Sequence, residues 1–151
     1  MDLNTDFRDM LLALNDADVD YLVVGAYAVA AHGHPRATGD LDIWVRADAK
    51  NASKVFGAMK VFGAPTHQIT EADFAAPSIV FQIGVPPGRI DILTVVSGLT
   101  FAEAWESRLT VTMDELTFPV IGRLDLMVNK RAAGRPKDLA DLAALQDEKS
   151  G

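Results

Sequence analysis

Apolar and polar residues follow two different periods along the chain, which predicts alternating helices and strands. Near the N-terminus apolar residues recur at helical spacing, at Leu3, Phe7, Met10, Leu11 and Leu14. With Thr5 as a cap, this spacing predicts a helix over 6–15. A short apolar run over 21–24 predicts a strand that stops at Gly25, and small apolar residues over 26–31 favour a second helix.

The same reasoning extends through the rest of the chain. After the strand that carries Asp40 and Asp42, we expect a helix over 48–62 capped by Asp48 and then an irregular stretch over 64–77. Strands over 78–85 and 89–95 should be joined as a hairpin, followed by a short helix over 101–107 and strands over 109–113 and 116–121. The last predicted element is a helical segment over 123–146 in two pieces around Gly134 and Pro136. The resulting order, α-β-α-β-α-β-β-α-β-β-α-α, predicts a mixed β-sheet flanked by helices, an α/β or α+β fold.

Length and composition narrow the class of protein. The chain has 151 residues, of which 49% are hydrophobic and 23% charged, so we expect one folded domain over 1–151. Its core would span about 20–121, and its C-terminal helical segment about 123–147. Without cysteine, any metal must be held by oxygen or histidine nitrogen. The sequence shows neither an export signal nor a membrane span, which favours the cytoplasm. A net charge of −7 means that RNA could bind only through a local basic patch.

Three aspartates are the strongest candidates for chemistry. Asp40 and Asp42 share one face of a strand, because alternate side chains point the same way, while the reverse face is apolar. Asp91 repeats this arrangement on a later strand. Carboxylates that repel each other on rigid elements suit a hard divalent cation such as Mg²⁺. A merely solvated acidic face is the alternative, and the Asp-x-Asp pair alone does not decide between them.

Several motifs together resemble the nucleotidyltransferase superfamily, which has the DNA-polymerase-β-like minimal fold. They are Gly25-Ala26 after the first strand, Asp40-Leu41-Asp42 on the next, and Asp91 on a later one. The C-terminal segment 125–142 is similar to the Asp-x4-Lys and Arg-x-Lys-Asp-x-x-Asp-Leu signature of small bacterial nucleotidyltransferases related to the toxin of the AbiE toxin–antitoxin system. The resemblance covers roughly residues 20–145.

The resemblance implies a fold, a reaction and a set of site residues. Asp40, Asp42 and Asp91 would hold Mg²⁺ or Mn²⁺, and Lys130 would neutralise the charge of a nucleoside triphosphate such as ATP. The minimal fold would carry additional C-terminal helices. The acceptor of the nucleoside monophosphate would be a hydroxyl of RNA, a protein or a small molecule, and an antitoxin-like partner is implied for a toxin.

Five further residues are candidates for binding nucleotide phosphates: Gly25, Ala26, Arg36, Thr38 and Arg135. Gly25 suits a tight turn next to phosphate, but it equally suits a simple strand-to-helix turn. Many superfamily members resemble this chain but have serine or glycine at the position of Ala26, so here only the backbone amide would contact phosphate. Arg135 could instead form a structural ion pair with Asp138.

Other residues have ordinary interpretations that compete with functional ones. Trp44 could stack on a base or lie buried in the sheet, and His32 and His34 are better explained as helix-terminal residues than as metal ligands. The leading hypothesis is a Mg²⁺-dependent nucleotidyltransferase. The alternative is a catalytically silent nucleotide- or partner-binding module with the same fold. A glycosyltransferase with an Asp-x-Asp motif is disfavoured because it normally needs a longer chain.

Overall fold

The computed structural model describes residues 3–34 and 39–147. Its helices are α1 Thr5–Asp16, α2 Gly25–Ala31, α3 Ala49–Phe62, α4 Phe101–Glu106, α5 Arg123–Ala133 and α6 Pro136–Asp147. Its strands are β1 Tyr21–Val24, β2 Asp40–Val45, β3 Val80–Ile83, β4 Arg89–Leu93, β5 Leu109–Met113 and β6 Leu116–Val120. The predicted α/β class and the predicted order of helices and strands are confirmed.

The six strands form one mixed sheet in the order β3-β4-β2-β1-β6-β5. β1 pairs antiparallel with β2 and parallel with β6, while β2 pairs parallel with β4. The hairpins β3–β4 and β5–β6 form the two edges of the sheet. Because β2 and β4 are parallel neighbours, their acidic residues lie side by side at the middle of the sheet.

Local signals explain where several elements begin and end. The side chain of Asp48 accepts a hydrogen bond from the Asn51 amide at 2.7 Å, which confirms it as the cap of α3. Gly63 ends that helix in the left-handed conformation. The predicted cap of α1 is wrong: Asn4 accepts the bond from the Phe7 amide at 2.8 Å, and Thr5 is already helical.

The stretch predicted to be irregular contains two 3-10 helices, Thr66–Gln68 and Glu71–Ala75. The second contributes Phe74 to the core, where its ring lies edge-on to Phe81 of β3 at 6.0 Å between ring centres. Turns this short carry too few residues for a helical period to show in the sequence.

The core lies between the sheet and its helices. Leu41 and Ile43 of β2 are fully buried, and α1 packs against α3. Trp44 is only 2% exposed and packs edge-on against Phe101 of α4, so it is a core residue and does not offer a face to a base. No helix in the described ranges combines the length and apolar character needed to cross a membrane.

Candidate active site

The sheet register brings the three predicted acids together. Asp42 of β2 lies directly beside Asp91 of β4, and Asp40 lies beside Arg89 in the same ladder. Side chains at paired positions of neighbouring strands project to the same face of the sheet. Asp40 and Asp42 are partly exposed, whereas Asp91 is 6% exposed. The result is a carboxylate cluster with two partly exposed members and one that is buried.

Gly25 is required by the geometry around Asp42. It follows β1 directly and has a φ of +70°, a conformation that residues with a Cβ rarely adopt. A Cβ at this position would lie 2.1 Å from the Asp42 Oδ2 atom. The turn between β1 and α2 therefore brings backbone against a carboxylate, and only glycine permits that approach.

We expect Gly25→Ala to destabilise the protein by roughly 1–3 kcal/mol, because the substitution adds both backbone strain and a collision with Asp42. Gly57→Ala is a matched control in the interior of α3, where a Cβ would have no neighbour within 4 Å. That control should stabilise the protein by about 0.5–1 kcal/mol. Urea unfolding of both variants measures the difference, and equal effects would contradict the close approach inferred at Gly25.

The acid cluster changes the protonation of Asp42. Burial, followed by the charges of Asp91 and Asp40, raises the pKa of Asp42 from 3.8 to about 6, although Arg89 opposes this shift. A hydrogen bond between the carboxyl groups of Asp42 and Asp91 acts in the same direction as burial. Concentrated negative charge is therefore a property of this site, and a cation would relieve it.

Arg89 forms a fork-shaped contact with Asp91. Its Nε donates to Asp91 Oδ1 at 3.1 Å, and its Nη2 donates to Oδ2 at 3.0 Å. The same Nε lies 3.7 Å from Asp40 Oδ1. The hydrogen bond to Asp91 and the nearby carboxylate charges raise the pKa of Arg89. A guanidinium thus occupies the space between two of the three acids.

A cleft with a volume of about 250 Å³ opens beside the acids. Residues of β1, α2 and β2 line part of it: Val24, Gly25, Ala26, Asp40 and Asp42. The other lining residues come from the end of β4 and the segment after it, from α5 and α6, and from the link between these two helices: Leu93, Val95, Val96, Ser97, Asn129, Lys130, Ala133, Arg135, Lys137 and Asp138. A lining that combines carboxylates with lysine and arginine side chains can hold a metal–phosphate group.

Lys130 reaches the cleft but is tied into a buried ion network. It is 5% exposed, and its Nζ lies 3.4 Å from Asp138 Oδ1 and 3.1 Å from Asp141 Oδ2. Both carboxylates come from α6, and they are also buried. Lys130 therefore joins α5 to α6, a structural role that exists whether or not it also meets a phosphate.

Arg135 is mostly exposed, with 61% of its side chain accessible, and it forms the ion pair with Asp138 that the sequence allowed as an alternative. Its Nε donates to Asp138 Oδ2 at 2.6 Å and its Nη2 to Oδ1 at 3.2 Å. Burial alone would raise the pKa of Asp138, but Arg135 and Lys130 together lower it. Nearby Asp42 contributes to the raised pKa of Arg135, behind the hydrogen bond to Asp138. Arg135 is therefore within electrostatic range of the acid cluster.

The donor chemistry suits a divalent cation, but the acids are not arranged as a finished three-ligand site. Within residues 3–34 and 39–147, no group of three or more Asp, Glu or His side chains is placed to hold a metal ion. Asp40 and Asp42 offer hard oxygen atoms to the cleft, which fits Mg²⁺. The carboxylate of Asp91 is bound by Arg89 and does not line the cleft.

The cleft gathers Gly25, Ala26, Asp40, Asp42, Lys130 and Arg135 from the residues predicted from the sequence. Arg36 and Thr38 lie outside the described residues. His32 follows the last residue of α2, and its Nε2 lies 2.8 Å from the Ile121 carbonyl oxygen, which agrees with a helix-terminal role.

Three candidate residues were missed by the sequence reasoning. Arg89 precedes Asp91 by two residues and so shares its face of the strand, a relation that the sequence itself contains. Lys137 and Asn129 also line the cleft. Lys137 is the lysine of the Arg-x-Lys-Asp signature, whereas no spacing in the sequence distinguishes Asn129 from an ordinary surface residue. The Asn129 side chain donates to the Ser97 carbonyl oxygen at 3.0 Å and so ties the segment after β4 to α5.

The sheet topology and the acid cluster beside a glycine turn together define a nucleotidyltransferase-like protein. The chain belongs to the family described as nucleotidyltransferase of unknown function (DUF6036), which matches residues 2–146. No curated protein matches the chain.

Two solved structures share the fold. One, from Thermotoga maritima, is named as a candidate nucleotidyltransferase; it aligns with a TM-score of 0.61 and 15% identity over 93% of this chain and 90% of that chain. The other is an antigenic nucleotidyltransferase-like protein from Paracoccidioides brasiliensis, with a TM-score of 0.51 and 14% identity over 93% of this chain and 74% of that chain. At these identities the likeness shows the fold alone. The superfamily predicted from the motifs is confirmed.

Proposed function

We propose that the protein is a divalent-metal-dependent nucleotidyltransferase that transfers a nucleoside monophosphate from a nucleoside triphosphate to a hydroxyl acceptor. The acceptor oxygen forms a bond to the α-phosphorus while the bond from that phosphorus to the β-bridging oxygen breaks. Pyrophosphate leaves, and a carboxylate of the cluster takes the hydroxyl proton. Such a reaction depends on positioning and charge neutralisation, with little covalent chemistry from the protein.

The observation that carries this proposal is the β2–β4 register, which sets Asp42 beside Asp91 with Asp40 on the same face. Three acids on rigid neighbouring strands repel one another, and this repulsion adds to the effect of burial, which is the first cause of the raised pKa of Asp42. A folded protein that keeps such a cluster, with two of its acids lining a cleft, has a site that a cationic ligand would stabilise. Membership of a nucleotidyltransferase family supports nucleotidyl transfer as the reaction in which this cation takes part.

The cleft residues divide into two roles. Asp40 and Asp42, joined by Asp91, would hold Mg²⁺ or Mn²⁺, which when bound neutralises triphosphate charge and polarises the α-phosphate. Lys130, Arg135 and Lys137 line the same cleft as the acid pair and would bind the β- and γ-phosphate oxygens. Gly25 and Ala26 present backbone to the same space, so a phosphate oxygen could approach without meeting a large side chain.

A label-transfer experiment tests the proposal. The protein is incubated with each of the four NTPs labelled at the α-phosphate, with Mg²⁺ or Mn²⁺, and with total cellular RNA, total protein or small hydroxyl compounds. We expect label to appear in one acceptor fraction and pyrophosphate to accumulate in equal amount. The Asp40→Asn/Asp42→Asn variant is the control, and transfer that persists in this variant would refute the assigned roles.

The finer assignment is a toxin of the AbiE type, acting on RNA or protein and held in check by an antitoxin-like partner. It is supported by the C-terminal segment, where Lys130, Asp138 and Asp141 of the sequence signature meet in one ion network. Growth arrest on expression of the active protein, but not of the Asp40→Asn/Asp42→Asn variant, is the expected result. Normal growth at equal expression would refute the toxin role but would not contradict the proposed transferase activity.

A catalytically silent binding module is the second candidate, and two observations favour it. Ala26 supplies no hydroxyl to the phosphate-side turn, and Arg89 already binds Asp91. Metal-dependent NTP binding by calorimetry, without transfer to any acceptor fraction, would support the module. The Ala26→Ser variant distinguishes a missing hydroxyl from a wrong acceptor, because a gain of transfer would show that the rest of the site is competent.

A further inference from the structure

Arg89 is placed where a metal ion would compete with it. Its guanidinium contacts Asp91 through two hydrogen bonds of 3.1 and 3.0 Å and lies 3.7 Å from Asp40. These are two of the three acids assigned to the cation under the proposed function. A guanidinium and a metal ion held by the same few carboxylate oxygen atoms repel each other, so close binding of one weakens the binding of the other.

The burial of the partners makes this contact different from an ordinary surface ion pair. The Asp91 side chain is 8% exposed, while the Arg89 side chain is 32% exposed and can reach solvent. A buried carboxylate without a partner is costly, so Asp91 needs a counter-charge. Arg89 supplies one from the chain itself, and its exposed side gives it a route away from the cluster.

We propose that Arg89 is a built-in counter-cation of the acid cluster, which balances Asp91 and Asp40 in the metal-free protein and competes with the divalent metal for the same carboxylates. Metal loading then includes a move of the Arg89 guanidinium away from Asp91. This inference rests on the proposed function for the identity of the ligand. Arg89 is a positioning residue in this scheme, since it sets how tightly the metal is held and does not touch the reacting atoms.

The wild-type protein offers a direct test through the Nε–H resonance of Arg89 in ¹⁵N NMR. We expect titration with Mg²⁺ to shift this resonance and to speed its exchange with water, because the hydrogen bond to Asp91 is released. The internal control is Arg46, whose Nε donates a hydrogen bond of 2.9 Å to Asp20 Oδ2. Neither of these residues lines the cleft. A metal-saturated protein in which the Arg89 resonance is unchanged would overturn the proposal.

Metal affinity gives a second test with matched variants. We expect Arg89→Met, which keeps side-chain length but removes the charge, to bind Mn²⁺ about tenfold more tightly by calorimetry, equivalent to about 1.4 kcal/mol. Arg89→Lys keeps the positive charge but loses the two-pronged contact with Asp91, and its Mn²⁺ affinity should stay close to that of the wild type. Arg46→Met should leave Mn²⁺ affinity unchanged. If Arg89→Met binds Mn²⁺ equally or more weakly, Arg89 acts only as a structural partner and the proposal fails.

The change in melting temperature on metal addition gives a third test, which also applies to variants that fold poorly. Arg89→Met should melt below wild type without metal and recover more of that loss on Mn²⁺ addition. The two levels of the proposal fail differently. If Asp40→Asn/Asp42→Asn still binds Mn²⁺, the assignment of the metal site to these acids is refuted. If Mn²⁺ binding is lost in Asp40→Asn/Asp42→Asn but is unchanged in Arg89→Met, only the proposed role of Arg89 is refuted.

Discussion

Asp42→Asn should abolish nucleotidyl transfer and, at the same time, make the metal-free protein more stable at pH 7.5. The amide is a poor metal ligand and carries no charge, so we expect transfer to fall at least about 10³-fold, the equivalent of several kcal/mol of lost electrostatic stabilisation. Initial rates of label transfer to the acceptor, at equal protein and Mg²⁺ concentrations, measure this loss.

The stability gain follows from the sign of the pKa shift. Folding raises the pKa of Asp42 from 3.8 to about 6, so the folded protein binds the Asp42 proton more tightly than the unfolded chain does. The resulting stabilisation is fully present below about pH 4 and is lost as the pH rises through about 6. Above that range the ionised carboxylate is destabilising by roughly 1–3 kcal/mol, allowing for its partial exposure to solvent.

Urea unfolding at pH 4 and pH 7.5 without metal separates these effects. Asp42→Asn should be more stable than wild type at pH 7.5, and the difference should vanish near pH 4. Asp9→Asn, an exposed position on α1, is the control and should change stability by less than about 0.5 kcal/mol at either pH. A variant less stable than wild type at pH 7.5 would mean that Asp42 is held by favourable contacts rather than by repulsive ones. Mg²⁺ should reverse the order by stabilising only the wild type.

The order of elements could be predicted because each leaves a local signal. The periods of α1 and α3, the cap of α3 at Asp48 and the alternating faces of β2 and β4 are all readable within a few residues. The β3–β4 hairpin could also be predicted from its turn. Pairing between strands that are distant in the chain leaves no such signal, and β2 meets β4 only after α3, the segment that follows it and β3. The sequence could propose Asp42 and Asp91 as partners through the family resemblance, but the register that places them side by side is a long-range property.

Site residues divide in the same way. Asp40, Asp42 and Gly25 belong to motifs, so residue type and spacing were sufficient to propose them. The second role of Lys130 depends on Asp138 and Asp141, which lie on a different helix beyond the break at Gly134. No single period spans that break, so the burial of the network could not be predicted from spacing.

Lys130→Met should be among the most destabilising single changes in the chain. Removal of the ammonium leaves Asp138 and Asp141 buried without the cation that joins them, and breaking a buried ion network in this way typically costs 3–5 kcal/mol. Lys54→Met is a matched control, because Lys54 pairs at 3.6 Å with Asp18, whose side chain is 96% exposed. Such surface pairs contribute roughly 0–1 kcal/mol, so urea unfolding should separate the two lysines clearly.

A compensated variant separates the structural role of Lys130 from its proposed contact with phosphate. In Lys130→Met/Asp141→Asn the remaining buried charge of Asp138 keeps its partner Arg135, so we expect a large part of the lost stability to return. If Lys130 also neutralises the triphosphate, this variant folds but transfers label poorly and binds NTP weakly. Recovery of wild-type transfer together with stability would assign Lys130 to the fold alone, and the phosphate contacts would then fall to Arg135 and Lys137.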